Sequence, residues 1–258
     1  MSAYLEELFS LGGKRAVVTG GAKGVGAMIS EALARAGAEV TIVARGGRES
    51  EAYAESIGAT LLAHDLSEMA GVRAASAEIR RRGDRLHILV NNAGSFTAAP
   101  IDAFEDAQWD RELALNLRAP FFLAQSLLPA LRDAASERDP ARIINIGSIA
   151  ALWAKSSSAY AYSAAKAGIH HLTRALASDL TGQGITVNAI APGFFPSDMT
   201  SGFFAAVPGL RERMIEDIPA HRLGAPEDIG GAAIFLASRA GAYLSGAILP
   251  VEGGLWSA

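Results

Sequence analysis

The chain contains no cysteine among its 258 residues. Disulfides, thiol nucleophiles and thiolate metal sites are therefore excluded, and a reducing compartment is compatible with the composition. The sequence also lacks a run of about 18 apolar residues, and its N-terminus has no basic segment followed by an apolar core. We expect a soluble cytoplasmic protein with no membrane partner.

An excess of positive charge is also missing, since 23 Lys and Arg face 27 Asp and Glu, for a net charge of −4. No overall positive field exists to attract nucleic acid. The one basic cluster, residues 79–85, lies around Gly83, where cations favour the C-terminus of a helix. The five histidines form no i,i+4 pair, so no metal site is predicted.

Short apolar, β-branched runs alternate with longer helical patterns, which indicates a parallel sheet covered on both faces. The sequence predicts one α/β domain over residues 1–258, with a Rossmann-type doubly wound fold of seven strands. The strands are expected within residues 15–20, 38–44, 59–64, 86–94, 141–148, 185–193 and 246–254. Residues 194–221 depart from this rhythm and are expected to form a substrate loop beside the carboxyl ends of the strands.

Three glycines, Gly20, Gly24 and Gly26, occur where the first predicted strand runs into the first long helix. Glycine lets the backbone turn sharply, approach a pyrophosphate and expose the N–H groups of the helix N-terminus to its charge. A tight turn with a purely structural role is the alternative. Because a strand precedes the motif and a helix and a second strand follow it, dinucleotide binding is favoured.

The end of the second predicted strand discriminates between dinucleotides, because a carboxylate there would repel a 2′-phosphate. The sequence has Arg45 at this point and a second cation, Lys23, in the glycine turn. Cations beside a phosphate favour NADP(H); solvated surface is the alternative. Asp65, before Leu66, is placed either to accept a hydrogen bond from adenine or to cap the next helix.

Two tyrosines, Tyr160 and Tyr162, precede Lys166 in one predicted helix. Only Tyr162 lies four residues from the lysine, on the same helix face. An adjacent ammonium, reinforced by a cationic nicotinamide ring, would lower the pKa of the phenol towards neutrality and suit it to general acid/base work. Tyr160 is left as a packing or helix-entry residue or as part of a substrate pocket.

Two polar residues are predicted to join this pair. Ser148 follows the strand at 141–148 and can stabilise developing oxyanion character; Asn116, in an apolar helix, needs a partner, such as a water linked to Lys166. Each of these residues alone has an ordinary structural explanation. Ser148 could cap a helix, Asn116 could be a hydrogen-bonded amide in the core, and Tyr162 and Lys166 could be surface residues. Their joint presence after a dinucleotide turn favours catalysis.

These motifs resemble the short-chain dehydrogenase/reductase family from end to end. The matching segments are "TGGAKGVG" (19–26), "NNAG" (91–94), Asn116, "IGS" ending at Ser148, "YSAAK" (162–166), "NAIAPG" (188–193) and "GG" (253–254). The resemblance implies a catalytic tetrad of Asn116, Ser148, Tyr162 and Lys166, and a homotetramer. The cofactor-binding residues it implies, with those predicted above, are Gly20, Lys23, Gly24, Val25, Gly26, Arg45, Asp65, Leu66, Asn92, Ala93, Gly94, Tyr162, Lys166, Pro192, Gly193, Phe195 and Ser197.

Within the family the chain is most similar to the NADPH-dependent β-ketoacyl reductase branch, which implies reduction of a 3-oxoacyl-type or other hydrophobic ketone. The residues expected to face the substrate are mostly apolar or aromatic: Phe96, Ala150, Leu152, Trp153, Phe194, Phe195, Met199, Phe203 and Phe204. The alternatives are a sugar-acid or polyol dehydrogenase of the same family and a non-catalytic dinucleotide-binding sensor.

Overall fold

A seven-stranded parallel sheet forms the centre of the protein in the computed structural model, which describes residues 2–152, 158–197, 200–201, 204 and 209–256. The strands are β1 (Arg15–Thr19), β2 (Glu39–Ala44), β3 (Thr60–Ala63), β4 (Ile88–Asn91), β5 (Ala141–Ile146), β6 (Ile185–Pro192) and β7 (Ile248–Val251). Their order is β3-β2-β1-β4-β5-β6-β7, and every neighbouring pair is parallel. The predicted doubly wound α/β fold and all seven predicted strands are confirmed.

Helices connect the strands and cover both faces of the sheet. The α-helices are α1 (Ala3–Phe9), α2 (Gly24–Arg35), α3 (Arg48–Ser56), α4 (Met69–Arg81), α5 (Asp106–Leu113), α6 (Ala119–Ala134), α7 (Tyr160–Leu180), α8 (Leu210–Asp217) and α9 (Pro226–Ala237). Short 3₁₀ turns lie at Ile101–Ala103, Ile149–Ala151, Thr181–Gln183 and Arg239–Gly241, and a π-helical turn, Ala114–Arg118, joins α5 to α6. None of the described helices is long and apolar enough to cross a bilayer.

Two buried clusters lie on opposite faces of the sheet. Successive residues of a strand point to opposite faces, so Val17 belongs to the cluster under α4, α6 and α7, while Val18 belongs to the cluster under α2 and α9. Both valines are almost fully buried. The strands therefore read as nearly continuous apolar runs, because neither face of the sheet meets water.

The strand order reverses direction between β1 and β4, which are neighbours in the sheet but not in the chain. Open α/β sheets bind ligands in the crevice outside the carboxyl ends of the strands at such a switch point.

The basic cluster at 79–85 lies at the C-terminus of α4, the helix that connects β3 to β4. Arg80 and Arg81 occupy the last turn of this helix. Cations there complement the helix dipole, as the sequence predicted.

Candidate active site

The turn between β1 and α2 contains the three glycines predicted to bind a dinucleotide. Gly20 has φ +62° and Gly24 has φ +52°, a backbone region that side chains rarely adopt. A Cβ on Gly26 would lie 2.3 Å from the carbonyl oxygen of Gly20 and 2.3 Å from Nδ2 of Asn92. The turn therefore requires glycine for its conformation and for its packing, and its backbone is open to close approach by a phosphate.

The N-terminus of α2 fits the pyrophosphate of a dinucleotide. Lys23 is the capping residue, and its side chain makes no hydrogen bond to the helix. The first N–H groups of a helix lack acceptors within the helix and carry the positive end of its dipole, so an anion is stabilised there. Val25, in the first turn, packs against the core cluster beneath.

Asn92 and Ala93, which follow β4, support the glycine turn from the neighbouring strand. The backbone N–H groups of both residues donate to Oγ1 of Thr19 at 2.9 Å. Asn92 also donates from Nδ2 to the carbonyl oxygen of Thr19 at 2.9 Å. This segment, which is expected to bind the cofactor, is thus bound directly to the end of β1.

The cations predicted to meet a 2′-phosphate lie beside the ends of β1 and β2. Arg45 follows β2 directly and is exposed. Nζ of Lys23 lies 2.7 Å from Oε2 of Glu49, in the first turn of α3. This ammonium holds the pKa of the Glu49 carboxyl below its ordinary value. The sequence did not predict the ion pair, and a bound phosphate would have to compete with Glu49 for Lys23.

Asp65 closes a local turn after β3. Its Oδ1 accepts hydrogen bonds from the backbone N–H of Ser67 at 2.9 Å and from its hydroxyl at 2.7 Å, and these bonds lower the pKa of Asp65. The capping residue of α4 is Glu68, so the alternative that Asp65 caps this helix is wrong. Leu66 is buried in the core.

Tyr162 and Lys166 lie on one face of α7, as their spacing predicts. Nζ of Lys166 lies 5.5 Å from the centroid of the Tyr162 ring and donates to the carbonyl oxygen of Ile146 at 2.7 Å. Lys166 is only 5% exposed. The last residue of β5 therefore fixes the ammonium group next to the phenol.

We predicted that Lys166 lowers the pKa of Tyr162. This prediction is wrong when only the groups of the protein itself are considered, because the pKa of Tyr162 is raised. Burial raises the pKa of Tyr162, a hydrogen bond with Ser148 lowers it, and the negative charge of Glu112 raises it. Burial also lowers the pKa of Lys166 to about 8, which the charge of Glu112 opposes. Burial thus disfavours both the phenolate of Tyr162 and the ammonium of Lys166. The positive nicotinamide ring of an oxidised cofactor would therefore have to supply the charge that favours the phenolate.

Ser148 caps a short helical turn, which is one of its two predicted roles, and it is hydrogen-bonded to Tyr162. It is the capping residue of the 3₁₀ turn after β5, and its Oγ accepts a hydrogen bond from the N–H of Ala150 at 3.1 Å. A hydroxyl can accept and donate at once, so the O–H of Ser148 remains able to donate. The hydrogen bond between Ser148 and Tyr162 lowers the pKa of the tyrosine, against the larger effect of burial.

Asn116 lies in the π-helical turn between α5 and α6, a type of turn that is frequent at functional sites. Its Nδ2 contacts the carbonyl oxygens of Ser95 and Glu112, each at 3.0 Å, and Oε2 of Glu112 at 2.8 Å. Its Oδ1 is buried and has no hydrogen-bond partner among the described residues. A Cβ on Gly94 would lie 2.5 Å from this oxygen, so glycine is required there.

The two tyrosines have different aromatic neighbours. The ring of Tyr160, the first residue of α7, packs edge-on against Phe104 at 6.0 Å, and Phe104 packs against Trp109 at 6.4 Å. The ring of Tyr162 packs edge-on against Phe96 at 5.2 Å. Tyr160 thus belongs to an aromatic cluster at the start of the helix, which supports its packing role.

The segment after β6 meets the glycine turn. Gly193, which follows Pro192, donates its N–H to the carbonyl oxygen of Val251 in β7 at 2.9 Å. Further on, Cβ of Ser197 lies 3.0 Å from the position that a Cβ on Gly24 would occupy. Ser197, which is expected to bind the cofactor, is therefore close to the turn expected to hold the pyrophosphate.

The aromatic residues after Gly193 differ in burial. Phe195 is 3% exposed, and a Cβ on Gly224 would lie 2.3 Å from its ring. Its side chain therefore packs in the core and does not face a substrate as expected, and only its backbone is available to a cofactor. Phe194 packs partly against the small cluster formed by Ile149, Ile218 and Leu255.

Four of the residues expected to face the substrate are partly exposed: Phe96, Ala150, Leu152 and Phe204. The other three, Trp153, Met199 and Phe203, lie outside the described residues.

Sequence reasoning missed two acidic residues at the site, Glu112 beside Asn116 and Glu49 beside Lys23. Glu112 had a readable signal, since it lies four residues before Asn116 and so shares its helix face. Glu49 had none, because its contact joins two separate helices. Within the described part of the chain, no group of three or more His, Cys, Asp or Glu is placed to hold a metal ion.

The strand order, the glycine turn at the switch point and the paired Tyr162 and Lys166 define a Rossmann-type oxidoreductase. The chain belongs to the short-chain dehydrogenase/reductase family. Residues 20–256 match a family model described as enoyl-(acyl carrier protein) reductase.

Similar proteins include both reductases and dehydrogenases. The chain is 43% identical over 250 residues to a rhamnolipids biosynthesis 3-oxoacyl-[acyl-carrier-protein] reductase of Pseudomonas aeruginosa, covering 95% of this chain and 97% of that protein. It is 34% identical over 254 residues to a gluconate 5-dehydrogenase of Gluconobacter oxydans, covering 96% and 97%. The solved Pseudomonas aeruginosa RhlG/NADP active-site complex has a TM-score of 0.93 and 42% identity, covering 97% of this chain and 99% of that one.

Proposed function

We propose that this protein is an NADPH-dependent reductase that converts a hydrophobic ketone, of the 3-oxoacyl type or another, into a secondary alcohol. The observation that carries the proposal is the grouping of Ser148, Tyr162 and Lys166 at the carboxyl end of β5. In the sheet, only β4 separates β5 from β1, the strand that leads into the glycine turn. Bound NADPH would supply the hydride.

In this proposal the side chains of the chain manage the charge and the proton. The hydroxyl of Ser148 donates a hydrogen bond to the carbonyl oxygen and stabilises negative charge as it develops. The phenol of Tyr162 gives its proton to the same oxygen. Burial raises the pKa of Tyr162, which keeps the phenol protonated before the reaction. The buried ammonium of Lys166 then stabilises the phenolate that remains.

The preference for NADPH rests on the charges at the end of β2. Arg45 follows this strand where a carboxylate would exclude a 2′-phosphate, and Lys23 lies in the glycine turn close to the start of α3. The relative of 42% identity and TM-score 0.93 is an NADP complex, which supports the same choice. The structure fits this cofactor in two respects. The turn between β1 and α2 requires glycine, and the residue directly after β2 is not a carboxylate.

The apolar character of the expected pocket supports a hydrophobic substrate. Phe96 packs on Tyr162, and Phe194 and Ala150 are partly exposed after β6 and β5. Pockets lined by aromatic and aliphatic side chains bind apolar groups and exclude heavily hydroxylated ones. The similarity to a 3-oxoacyl-[acyl-carrier-protein] reductase supports an acyl chain with a ketone at its third carbon.

A sugar-acid or polyol dehydrogenase is the second candidate, and the similarity to gluconate 5-dehydrogenase favours it. The test is oxidation of NADPH by the purified protein with a panel of β-ketoesters, cyclic diketones, keto-sugar acids and steroids. We expect the highest kcat/KM with β-ketoesters. A higher kcat/KM with keto-sugar acids would establish the second candidate, and no turnover with any compound would indicate a nucleotide-binding sensor.

We also propose that the protein is a homotetramer, joined in part through α5, α6 and α7. A cavity of about 1260 Å³ runs along these helices, and its apolar residues include Leu113, Leu117, Phe121 and Leu172. Helix faces of this kind form self-complementary contacts in symmetric oligomers. Light scattering during size-exclusion chromatography should give four times the mass of the chain, and Phe121→Glu should give a smaller species. A monomeric native protein would contradict the proposal.

A further inference from the structure

Glu112 is a fully buried carboxyl group next to the proposed catalytic residues. It lies near the end of α5, four residues before Asn116, and none of its surface is exposed. Carboxyl groups are rarely fully buried unless they are paired or hydrogen-bonded, because burial penalises their charge. The mechanism above does not use this group, so its presence requires a separate explanation.

Both carboxyl oxygens of Glu112 have side-chain partners. Oε2 accepts a hydrogen bond from Nδ2 of Asn116 at 2.8 Å, and Oε1 accepts one from Oγ1 of Thr97 at 3.0 Å. Thr97 follows β4 and Asn116 belongs to the π-helical turn, so one carboxyl group joins two elements that border the site. The first of these bonds holds the Asn116 amide, whose Oδ1 is buried against Gly94.

Glu112 also acts on the charges of α7. Its negative charge raises the pKa of Lys166 and the pKa of Tyr162. In return, burial raises the pKa of Glu112, while its hydrogen bonds and the charge of Lys166 lower it. The titratable groups that face Glu112 are therefore Lys166 and Tyr162 on α7, and its polar neighbours are Thr97 and Ser95 after β4 and Asn116 on the following turn.

We propose that Glu112 is a positioning residue of the active site, whose carboxylate holds the Asn116 amide and balances the charge of Lys166 beside Tyr162. An ionised Glu112 favours the ammonium form of Lys166, and it opposes the phenolate form of Tyr162. The carboxylate therefore favours the protonated phenol that the proposed reduction requires. The inference rests on the proposed reductase function for its catalytic meaning, but the charge interaction itself exists without turnover.

Glu112→Gln separates the charge from the contacts. The amide oxygen of glutamine can accept from Asn116, and its NH₂ group can donate to the hydroxyl of Thr97, so both contacts survive while the charge is lost. Glu112→Leu removes both the charge and the contacts, and we expect it to lower kcat more than Glu112→Gln does. Asp102→Asn is the matched control, because it removes an exposed carboxylate from the nearby 3₁₀ turn.

The decisive test is the titration of Tyr162, read as the difference in tyrosinate absorbance between each protein and its Tyr162→Phe version. We expect the Tyr162 titration to move to lower pH by about one unit in Glu112→Gln and not to move in Asp102→Asn. The fall of kcat/KM for ketone reduction at high pH should move by the same amount.

An unchanged or upward-shifted titration in Glu112→Gln would overturn the proposal, since a purely structural role would alter stability or kcat without moving the pKa of Tyr162. Because the absorbance titration needs no substrate, a protein that reduced no ketone would refute the proposed function and leave this test intact.

Discussion

Lys23 and Glu49 form an ion pair across the entrance to the glycine turn, with 2.7 Å between Nζ and Oε2. The lysine caps α2 and the glutamate lies in the first turn of α3, so the contact links the two helices that flank the end of β2. A cation proposed to bind a 2′-phosphate is thus already engaged by a carboxylate. The affinity for NADPH depends on the balance of charges among Lys23, Glu49 and Arg45.

Glu49→Gln should strengthen NADPH binding and leave NADH binding unchanged. The neutral side chain no longer competes for the ammonium of Lys23. Because exposed ion pairs are weak, the gain should be at most about fivefold in affinity. The measurement is the dissociation constant of each nucleotide, from nicotinamide fluorescence. Glu51→Gln, an exposed carboxylate in the same turn of α3, is the control. Equal gains in both variants would show that only net charge matters.

Arg45→Asp should weaken NADPH binding by about tenfold or more while affecting NADH much less. The substitution removes a charge-assisted contact worth roughly 1.5–3 kcal/mol and adds repulsion towards the 2′-phosphate. Dissociation constants for both nucleotides check this, with Arg80→Asp on the exposed surface of α4 as the matched charge change. A native protein that binds NADH more tightly than NADPH would refute the assignment of the phosphate site.

The buried ring of His170 should make the protein sensitive to acid. It is 3% exposed, and burial together with the charges of Lys166 and Arg174 lowers its pKa from 6.5 to about 4. Between these values the unfolded chain binds a proton that the folded protein does not, so stability is lost as the pH falls from about 6.5 towards about 4.

His170→Leu should reduce the loss of unfolding free energy between about pH 7 and about pH 5 by roughly 1–2 kcal/mol. Urea unfolding at the two pH values gives this difference for each protein. The adjacent His171 is exposed, and His171→Leu should retain the full loss. An equally acid-sensitive His170→Leu protein would show that another group dominates the acid response.

The fold and the central pair of the site were predictable because they depend on local patterns. Apolar runs separated by helices indicate a parallel sheet wherever they occur, and the spacing of Tyr162 and Lys166 places them on one face of any helix. The glycine turn could be read in the same way, since the positive φ of Gly20 and Gly24 requires glycine.

The electrostatics of the site could not be read from the sequence. The direction of the Tyr162 pKa shift depends on burial and on Glu112, and both follow from tertiary packing. The π-helical turn that holds Asn116 has no compositional signature, and the pairing of Lys23 with Glu49 joins residues on separate helices. Asp65 forms a turn with two donors of Ser67 and does not cap α4, which was one of its two predicted roles.

The most direct test of the account compares Tyr162→Phe with Tyr160→Phe in NADPH oxidation by a ketone substrate, with NADPH affinity measured in both. Loss of the proton donor should lower kcat of Tyr162→Phe by about 10²–10⁴-fold without weakening NADPH binding. Tyr160→Phe should retain most activity, since its ring packs on Phe104 away from the pair. Comparable losses of kcat in the two variants would contradict the assignment of Tyr162 as the general acid.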